Sequence, residues 1–286
     1  MISKDAVWLI TECSKGLGQA IAAEVLRAGY RVVATARNPS TLDGLVAAAG
    51  GRALAVGLDV TRAEQIAAAV EAVERRFGAV DVLVNNAGYG YVGAIEEGEE
   101  DGVRAMFETD VFGLWAMTKA VLPGMRGRGR GHVVNISSVG GMVTYPAVGF
   151  YHMAKFAVEA FSETLAQEVA PFGIGVTVVA PGAFRTDFRG GSMQQSPVRL
   201  PEYADTAGKA RDRVLAGHGT QENDPVLGAR AIITAVEAKV PPMHLIIGGD
   251  ALDQVRAKLT KLCQELNAWE GVARSTKFKE ATSSGA

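Results

Sequence analysis

The chain has 286 residues, of which 48% are hydrophobic and 21% charged, and its formal net charge is −2. This is typical of a globular protein with a sizeable core, and the near-neutral charge argues against nucleic acid or an anionic membrane as partner. The two cysteines, Cys13 and Cys263, exclude a disulfide scaffold and favour a reducing, cytoplasmic setting. The four histidines lack metal-ligand spacing, so no metal site is predicted. The first apolar run is too short for a signal peptide or a membrane span.

The chain begins with the pattern of a buried strand at Ala6–Ile10, and a helix is predicted from Leu17 to Ala28. A second apolar run at Arg31–Thr35 completes a strand–helix–strand unit. Between the first strand and the helix lies a glycine-rich turn, Thr11–Gly18. Such a turn directs backbone N–H groups from a helix N-terminus, where phosphate groups bind.

Strand and helix patterns continue to alternate along the chain. Further strands are predicted at Ala53–Leu58, Val80–Val84, His132–Ile136, Gly175–Ala180 and His244–Ile247. Because almost every strand is followed by a helix, the strands should be parallel and joined by right-handed crossovers. The predicted fold class is therefore α/β: a single doubly wound domain with a parallel sheet of about seven strands and helices on both faces.

The alternation stops between residues 184 and 224, a stretch rich in Gly, Ser, Pro and Gln with a short helical piece near Ala204–Leu215. A long irregular insertion in an α/β domain is typical of a lid or binding loop, and the alternative is a disordered surface loop. Arg126–Gly131 alternates Arg and Gly, but the run is short and lacks aromatic residues. We interpret it as a solvated loop and predict no nucleic-acid partner.

Tyr151 and Lys155 are four residues apart and therefore share one face of a helix. There a lysine ammonium lowers the pKa of a phenol, which can then exchange a proton near neutral pH. Ser138, thirteen residues before Tyr151, offers a hydroxyl that can hold an oxygen. The three side chains can interconvert an alcohol and a ketone beside a hydride carrier. Alone, the Tyr-x-x-x-Lys pattern is a weak signal, and the alternative is a surface lysine beside a half-buried tyrosine.

Five motifs in order resemble the short-chain dehydrogenase/reductase family. The glycine-rich turn follows the first strand, Asn85–Gly88 the fourth, Ile136–Ser138 the fifth and Pro181-Gly182 the sixth, while Tyr151–Lys155 opens a helix. Each motif lies at or just beyond the carboxyl end of a strand, where open α/β sheets bind ligands. The resemblance extends to about Ile247.

This resemblance implies a Rossmann-type dinucleotide-binding and catalytic domain at residues 1–250, with 184–224 as its substrate loop. Residues 251–286 are expected to add a C-terminal helix and tail to the same domain, with Thr282–Ala286 disordered. Family relatives are commonly dimers or tetramers built on the helices that correspond to Val111–Met125 and Tyr151–Ala170. A homodimer or homotetramer is therefore expected, with a small-molecule substrate and no membrane partner.

The resemblance also implies the roles of individual residues. Tyr151 is the general acid for ketone reduction and the general base for alcohol oxidation, Lys155 holds the nicotinamide ribose, and Ser138 hydrogen-bonds the substrate oxygen. The implied cofactor-binding residues are Thr11, Ser14, Lys15, Gly16, Leu17, Gly18, Arg37, Asp59, Val60, Asn86, Ala87, Gly88, Tyr151, Lys155, Pro181, Gly182 and Thr186.

The choice of cofactor follows from charge. The second strand ends without the acidic residue that holds the ribose 2′-hydroxyl in NAD enzymes of this fold. Arg37 stands there instead and can bind a 2′-phosphate with two hydrogen bonds, while Lys15 adds a second positive charge. NADP(H) is therefore the preferred cofactor and NAD(H) the alternative. In a simpler interpretation, both cations are ordinary exposed charges.

Two acidic residues depart from the family pattern. Glu12 replaces the first glycine of the turn, where its repulsion of a phosphate costs about 2–3 kcal/mol at separations of about 6–8 Å. Cofactor binding should weaken unless Glu12 pairs with Lys15 or Arg37, or accepts from a ribose hydroxyl, which would favour NAD. Asp110, the fourth residue assigned to the catalytic group, replaces an asparagine that the family has in a kinked helix beside the catalytic lysine. Its carboxylate should offset part of the effect of Lys155 on the tyrosine and reduce activity.

The predicted function is that of an oxidoreductase, specifically a ketoreductase that transfers a hydride between NADP(H) and a secondary alcohol or ketone. Its apolar pocket is expected to contain Phe184, Phe188, Met193, Met142, Val143 and Tyr145. One alternative is a catalytically weakened relative that binds a ligand or a partner protein. A minor alternative is a lyase similar to the halohydrin dehalogenases, against which Lys155, Gly16 and Gly18 argue.

Overall fold

The structure, a computed structural model, describes residues 2–278, in which nine strands and nine α-helices follow one another. The strands are β1 (Val7–Ile10), β2 (Arg31–Ala36), β3 (Ala53–Gly57), β4 (Val82–Asn85), β5 (Gly90–Val92), β6 (Gly131–Ile136), β7 (Ile174–Pro181), β8 (Met193–Gln195) and β9 (His244–Ile247). The helices are α1 (Gly16–Arg27), α2 (Asp43–Ala48), α3 (Ala63–Phe77), α4 (Glu100–Phe107), α5 (Leu114–Arg128), α6 (Gly149–Val169), α7 (Lys209–Ala216), α8 (Pro225–Glu237) and α9 (Gly249–Arg274). The predicted tail Thr282–Ala286 lies outside the described residues.

Seven of these strands form one parallel sheet in the order β3-β2-β1-β4-β6-β7-β9. The chain builds outward from β1 in one direction and from β4 in the other. The carboxyl ends of β1 and β4 therefore border the crevice where ligands bind in folds of this type. The predicted doubly wound α/β fold is confirmed, as is the predicted number of strands in its sheet.

The core lies on both faces of this sheet. Along β1, Trp8 and Ile10 point into one apolar layer, which α1 and α8 complete, while Val7 and Leu9 point into the other, completed by α3, α5 and α6. All four side chains are buried. Burial on both faces explains why the strands appear in the sequence as continuous apolar runs without alternation.

The segment 184–224 is more regular than the sequence predicts. It contains β8, which pairs in parallel with β5, and α7, which covers the second half of the predicted helical piece; a π-helical turn, Ala204–Gly208, forms the first half. A buried ion pair between Glu97 and Arg211 ties this segment to the rest of the domain. Glu97 also accepts hydrogen bonds from the backbone N–H groups of Ala94 and Leu200, at 2.8 and 2.9 Å. Segment 184–224, the substrate loop expected from the sequence, is thus held to the domain by its contacts with the buried Glu97 carboxylate.

The C-terminal helix expected after residue 250, for which the apolar pattern predicts Ala251–Leu266, is α9, and it extends to Arg274. Its first turns pack against the domain through Ala251 and Val255, both buried. Beyond Val255 every described residue of the helix is exposed. Within residues 2–278, none of the helices combines the length and apolar character needed to cross a membrane.

Candidate active site

The glycine-rich turn connects the end of β1 to α1 and is packed tightly against the segment after β4. Gly16 begins α1 with a φ of +63°, a conformation that favours glycine. A Cβ atom on Gly18 would overlap the carbonyl oxygen of Glu12 and the side-chain amide of Asn86. That amide donates hydrogen bonds to the carbonyl oxygens of Thr11 and Glu12, both at 2.9 Å. Asn86 therefore fixes the shape of the turn.

Glu12 occupies this turn in a strained conformation. Its φ of 55° lies in the left-handed region, which costs a residue with a side chain about 1–2 kcal/mol. Its carboxylate accepts a hydrogen bond from the Ser14 hydroxyl, and it forms no ion pair with any residue in the range 2–278. Lys15 pairs instead with Asp187, at 2.7 Å. The compensating pairs considered from the sequence, with Lys15 or Arg37, are therefore not formed.

The residues of the catalytic motifs meet where β6 ends and α6 begins. Tyr151 and Lys155 lie in the first turns of α6, with the Lys155 ammonium 5.6 Å from the centre of the Tyr151 ring. Lys155 Nζ donates to the carbonyl oxygen of Ile136, at 3.2 Å. The Ser138 hydroxyl accepts from the backbone N–H of Gly140 at 3.0 Å, and it is close enough to the Tyr151 phenol to help lower its pKa. Ser138, Tyr151 and Lys155 therefore lie together on one cavity.

Asp110 lies beneath this group and is completely buried. It belongs to a π-helical turn, Glu108–Gly113, which provides the kink expected between α4 and α5. Its Oδ2 atom lies 3.2 Å from Lys155 Nζ, and its Oδ1 atom accepts from the backbone N–H of Tyr89 at 2.9 Å. The Asp110 carboxylate thus forms a buried ion pair with Lys155.

These contacts determine the direction of the pKa shifts. Burial raises the pKa of Tyr151; the Lys155 ammonium and the Ser138 hydroxyl lower it, and the Asp110 carboxylate raises it again. The pKa of Tyr151 is above its ordinary value, so the net lowering predicted from the sequence is wrong. Burial lowers the pKa of Lys155, but Asp110 and Tyr151 outweigh burial, and that pKa is raised. Lys155 is therefore a firmly charged ammonium.

A cavity of about 590 Å³ opens at the carboxyl edge of the sheet between the turn, the catalytic group and the substrate loop. The predicted site residues that line it are Lys15, Gly16, Leu17, Asn86, Gly88, Ser138, Tyr151, Lys155, Pro181, Gly182 and Thr186. The predicted site residues that do not line it are Thr11, Ser14, Gly18, Arg37, Asp59, Val60, Ala87 and Asp110. Eleven of the predicted residues therefore surround one cavity.

Several residues of the second set have visible structural roles. Buried Thr11 accepts hydrogen bonds from the backbone N–H groups of Asn86 and Ala87, at 2.8 and 2.9 Å. Asp59 Oδ1 accepts from the backbone N–H of Thr61, at 2.9 Å. Arg37 is exposed at the end of β2 and close enough to Asp59 to help lower its pKa. Arg37 therefore lies on the same edge of the sheet as the cavity but outside its lining.

The cavity also contains residues that sequence reasoning missed. Asp187, Arg189, His152, Asp250 and Gln254 line it. Burial lowers the pKa of His152 to about 4, so its ring is neutral. Asp187 and Arg189 fall within the predicted substrate loop, a signal that could have found them. Asp250 and Gln254 open α9, which the sequence indicates only as part of the scaffold.

The apolar lining is largely as predicted. Tyr145, Phe184, Phe188 and Met193 line the cavity, whereas the predicted Met142 and Val143 are not among its lining residues. The rings of Phe188 and Tyr151 are 5.6 Å apart, so the loop packs directly over the catalytic phenol.

A family model described as short chain dehydrogenase matches residues 6–197. The chain belongs to the short-chain dehydrogenase family. It is an oxidoreductase of that family. A short-chain dehydrogenase from Streptomyces avermitilis is 46% identical, with a TM-score of 0.90 over 96% of this chain and 100% of that one.

Two curated relatives also match over most of their length. The chain is 41% identical to oxidoreductase BOA17 of Botryotinia fuckeliana, over 86% of this chain and 90% of the relative. It is 39% identical to a 3-ketodihydrosphingosine reductase of Bacteroides thetaiotaomicron, over 84% of this chain and 87% of the relative.

Solved structures of this family contain both types of nicotinamide dinucleotide. An alcohol dehydrogenase from Thermococcus sibiricus, 29% identical with a TM-score of 0.70, is complexed with 5-hydroxy-NADP and matches 85% of this chain and 95% of its own. A 3-ketoacyl-(acyl-carrier-protein) reductase from Brucella melitensis, 27% identical with a TM-score of 0.73, is complexed with NADH and matches 87% of this chain and 100% of its own.

Proposed function

We propose that this protein reduces a ketone to a secondary alcohol, and catalyses the reverse reaction, with NADP(H) as the hydride carrier. The observation that carries the proposal is that Tyr151, Lys155 and Ser138 line one cavity together with the glycine-rich turn at the start of α1. A proton donor and a phosphate-binding turn in one cavity are what a dinucleotide-dependent reductase requires.

The residues present fit a nicotinamide dinucleotide. The N-terminus of α1 opens into the cavity at Gly16, and Gly18 leaves no side chain to obstruct the turn. The Lys155 ammonium has three N–H donors, of which one is used by Ile136 and another faces Asp110. The third is free to hold a ribose hydroxyl. When bound, the nicotinamide supplies or accepts the hydride.

The chain itself moves the proton. In the proposed reduction Tyr151 donates its phenolic proton to the substrate oxygen, while the Ser138 hydroxyl donates a hydrogen bond to that oxygen as its charge grows. The Lys155 ammonium stabilises the phenolate that remains. The raised pKa of Tyr151 keeps the phenol protonated at neutral pH, so it carries the proton that ketone reduction requires.

The proposed preference for NADP(H) rests on Arg37, the exposed cation at the end of β2, where no acidic residue is present to hold a 2′-hydroxyl. Lys15 supports it less than the sequence suggests, because its ammonium is paired with Asp187. Calorimetry with NADPH and NADH tests the preference. Arg37→Ala should weaken the binding of NADPH and leave that of NADH unchanged, and an equal loss for both would contradict the role of Arg37.

We propose an apolar ketone as the substrate. Phe188 packs on the Tyr151 ring, and Phe184, Met193, Val148 and Val214 extend the apolar lining of the same cavity. Such a surface gains free energy by burying hydrocarbon beside the reacting carbonyl. The similarity to a relative named for 3-ketodihydrosphingosine, a ketone with a long alkyl chain, supports the same class.

Hydride transfer is the direct test. The absorbance of NADPH should fall with long-chain ketones, and Tyr151→Phe should lower turnover by at least about 100-fold, as expected for the loss of a general acid. Tyr203→Phe is a matched control, because it removes a hydroxyl that hydrogen-bonds Glu96 outside the cavity. Unchanged turnover in the Tyr151 variant would remove this residue from the mechanism.

A second candidate function is ligand or partner binding without hydride transfer. The strained backbone and uncompensated charge of Glu12 favour it, because both lie in the turn that would hold the cofactor. Calorimetry separates the two candidates: micromolar binding of either NADPH or NADH supports the reductase, and no binding at millimolar cofactor supports the alternative.

We also propose a homo-oligomer formed through α5 and α6. Phe112 and Trp115 beside the start of α5, and Met153 and Phe156 on α6, are exposed apolar side chains. Sedimentation of Phe156→Glu tests this surface, since a charge there should lower the mass in solution. The two free thiols, Cys13 and Cys263, support a reducing compartment such as the cytoplasm.

A further inference from the structure

Helix α9 carries an apolar stripe that nothing in the described chain covers. From residue 256 to Arg274 the helix extends about 28 Å beyond its last buried residue. Along this part Leu259, Leu262, Leu266 and Trp269 are 50%, 42%, 62% and 66% exposed. A free helix of this length is only marginally stable in water unless its apolar face is packed.

The spacing of the stripe identifies the kind of surface that fits it. Counted from Leu252, apolar residues follow at alternating intervals of three and four: Val255, Leu259, Leu262, Leu266, Trp269 and Ala273. This is a repeat of seven residues with two apolar positions, and its average period of 3.5 is that of helices wound around each other. A helix that lies on a flat sheet or a membrane needs a wider apolar face than this narrow seam.

We propose that the exposed part of α9 pairs with α9 of a second copy of this chain, as an antiparallel two-stranded coiled coil. In the register centred on residue 264, Leu259 faces Trp269 of the second copy, and Leu262 faces Leu266 of the second copy. The four exposed apolar side chains at these seam positions are then covered, while Val272, 57% exposed, lies beside the seam. The pairing is self-complementary about a two-fold axis, as a closed dimer interface requires.

The charges that flank the stripe choose the antiparallel orientation. Arg256 and Glu270 occupy equivalent positions beside it, fourteen residues apart. In the antiparallel register Arg256 of each copy faces Glu270 of the other, which gives two attractive pairs. In a parallel pair Glu265 would face Glu270 twice, which is repulsive. Glu265 meets its own copy once in the antiparallel pair, where Lys261, 3.9 Å from it on the same helix, reduces the repulsion.

A lipid surface is the other candidate for the stripe, and the charge of α9 argues against it. Helices that bind anionic membranes are rich in Lys and Arg on the polar face. In the exposed part of α9 the four charged residues beside the stripe balance, Arg256 and Lys258 against Glu265 and Glu270, while Lys261 and Arg274 bring the net charge of that part to +2. The two acids beside the stripe would lie against the headgroups of an anionic membrane and be repelled, whereas they can pair with the cations of a second copy.

A charge placed in the seam tests the proposal. Leu262→Glu should halve the molar mass of the assembly that the full-length protein forms, as measured by light scattering. Gln264→Glu adds the same charge on the opposite side of the helix and should leave the mass unchanged. Because Leu262 lies on the part of α9 that is free of the domain, circular dichroism should show that the fold of the domain is retained. Equal masses for both variants would overturn the proposal.

Flotation of wild-type protein, but not of Leu262→Glu, with phosphatidylglycerol vesicles at unchanged mass would assign the stripe to lipid.

Exchanging charges tests the register. Arg256→Glu alone and Glu270→Lys alone each create two like-charge pairs in the antiparallel dimer, so each variant should dissociate at least about threefold more readily than the wild type. In an equimolar mixture of the two variants, a mixed dimer pairs Glu at 256 with Lys at 270 and Glu270 with Arg256. Both pairs are attractive, so association should recover. In a parallel pair residues 256 and 270 do not face each other, so mixing would restore nothing and the register would be wrong.

Cross-linking through Cys263 tests the antiparallel register independently. In the proposed register the exposed Cys263 thiols of the two copies face each other near the two-fold axis, whereas Cys13 is buried. A short bis-maleimide should therefore link two chains through Cys263, and Cys263→Ser should abolish the link. Linking in Gln264→Glu but not in Leu262→Glu supports the pairing, and no linked dimer in the wild type contradicts the antiparallel register.

Discussion

Asp110 Oδ2 lies 3.2 Å from Lys155 Nζ, so the lysine that supports the catalytic phenol is itself paired with a buried carboxylate. Burial is the first cause of the raised pKa of Tyr151, and Asp110 adds to it. We expect Asp110→Asn to remove that addition and lower the pKa of Tyr151, while the amide oxygen still accepts from Tyr89.

The pH dependence of alcohol oxidation measures this effect. Oxidation needs the phenolate, so kcat/KM should rise with pH through the pKa of Tyr151. In Asp110→Asn we expect that rise at a lower pH, because an anion beside the phenol has been removed. Glu108→Gln removes an exposed acid from the same π-helical turn and is the control. A shift to higher pH would indicate that loss of charge on Lys155 dominates instead.

Glu12 is expected to destabilise the fold through its strained backbone and to weaken cofactor binding through its charge. Separate substitutions can distinguish these two effects. Glu12→Gly removes both the carboxylate and the strain of a side chain at a φ of 55°. We expect it to raise the free energy of unfolding by about 1 kcal/mol and to tighten NADPH binding about tenfold. Glu12→Gln removes the charge alone and should tighten binding without the gain in stability.

Calorimetry with NADPH and urea unfolding of the three proteins measure the two effects of Glu12. If Glu12→Gln binds NADPH no better than the wild type, the carboxylate does not repel the phosphates. If Glu12→Gly is no more stable, the turn relaxes and stores no strain.

The Asp187 carboxylate pairs with Lys15, a cation that the sequence predicts to bind the cofactor. Its carboxylate holds Lys15 at 2.7 Å, although both side chains are 45% exposed. Such a pair is worth at most about 1 kcal/mol, or about fivefold in a dissociation constant. We expect Asp187→Asn to tighten NADPH binding by up to that factor and NADH binding less, since Lys15 then becomes available to a 2′-phosphate. Asp212→Asn, an exposed acid of α7, is the control, and equal gains for both cofactors would contradict a role of Lys15 at the 2′-phosphate.

The sequence predicts those features that depend on local patterns. Continuous apolar runs identify the strands because a parallel sheet is buried on both faces, and the order of the motifs predicts which side chains meet at its carboxyl edge. The convergence of Ser138 on Tyr151 and Lys155 follows from this, as does the position of the glycine-rich turn against Asn86.

Features that depend on contacts distant in the sequence could not be predicted. The pair between Lys15 and Asp187 joins residues 172 positions apart, and only the folded loop brings them together. The net pKa of Tyr151 also needs the structure, because burial, Lys155 and Asp110 act in opposite directions and the spacing of residues shows only the lysine. Asp250 reaches the cavity from the start of α9, where no motif marks it.

The buried pair between Glu97 and Arg211 yields the last prediction. Arg211 is 1% exposed and Glu97 3%, so Arg211→Met leaves a carboxylate without its counterion inside the protein. We expect a loss of about 3–5 kcal/mol in the free energy of unfolding. Glu97→Gln combined with Arg211→Met should recover part of it, because the amide is neutral and its oxygen still accepts from the N–H groups of Ala94 and Leu200.

The same pair anchors the substrate loop, so its loss should also raise KM for an apolar ketone more than it lowers kcat. Urea unfolding and steady-state kinetics of the single and double variants measure both effects. The wild type should lose stability as the pH falls below 4.5, since the pKa of Glu97 is held below that value in the folded protein: burial raises it, but the N–H groups of Ala94 and Leu200 and the Arg211 guanidinium lower it further. The double variant has no carboxylate at residue 97, so it should not lose this part of its stability as the pH falls. If Arg211→Met proved as stable as the double variant, Glu97 would have become protonated or reached water, and the loop would not depend on this charge.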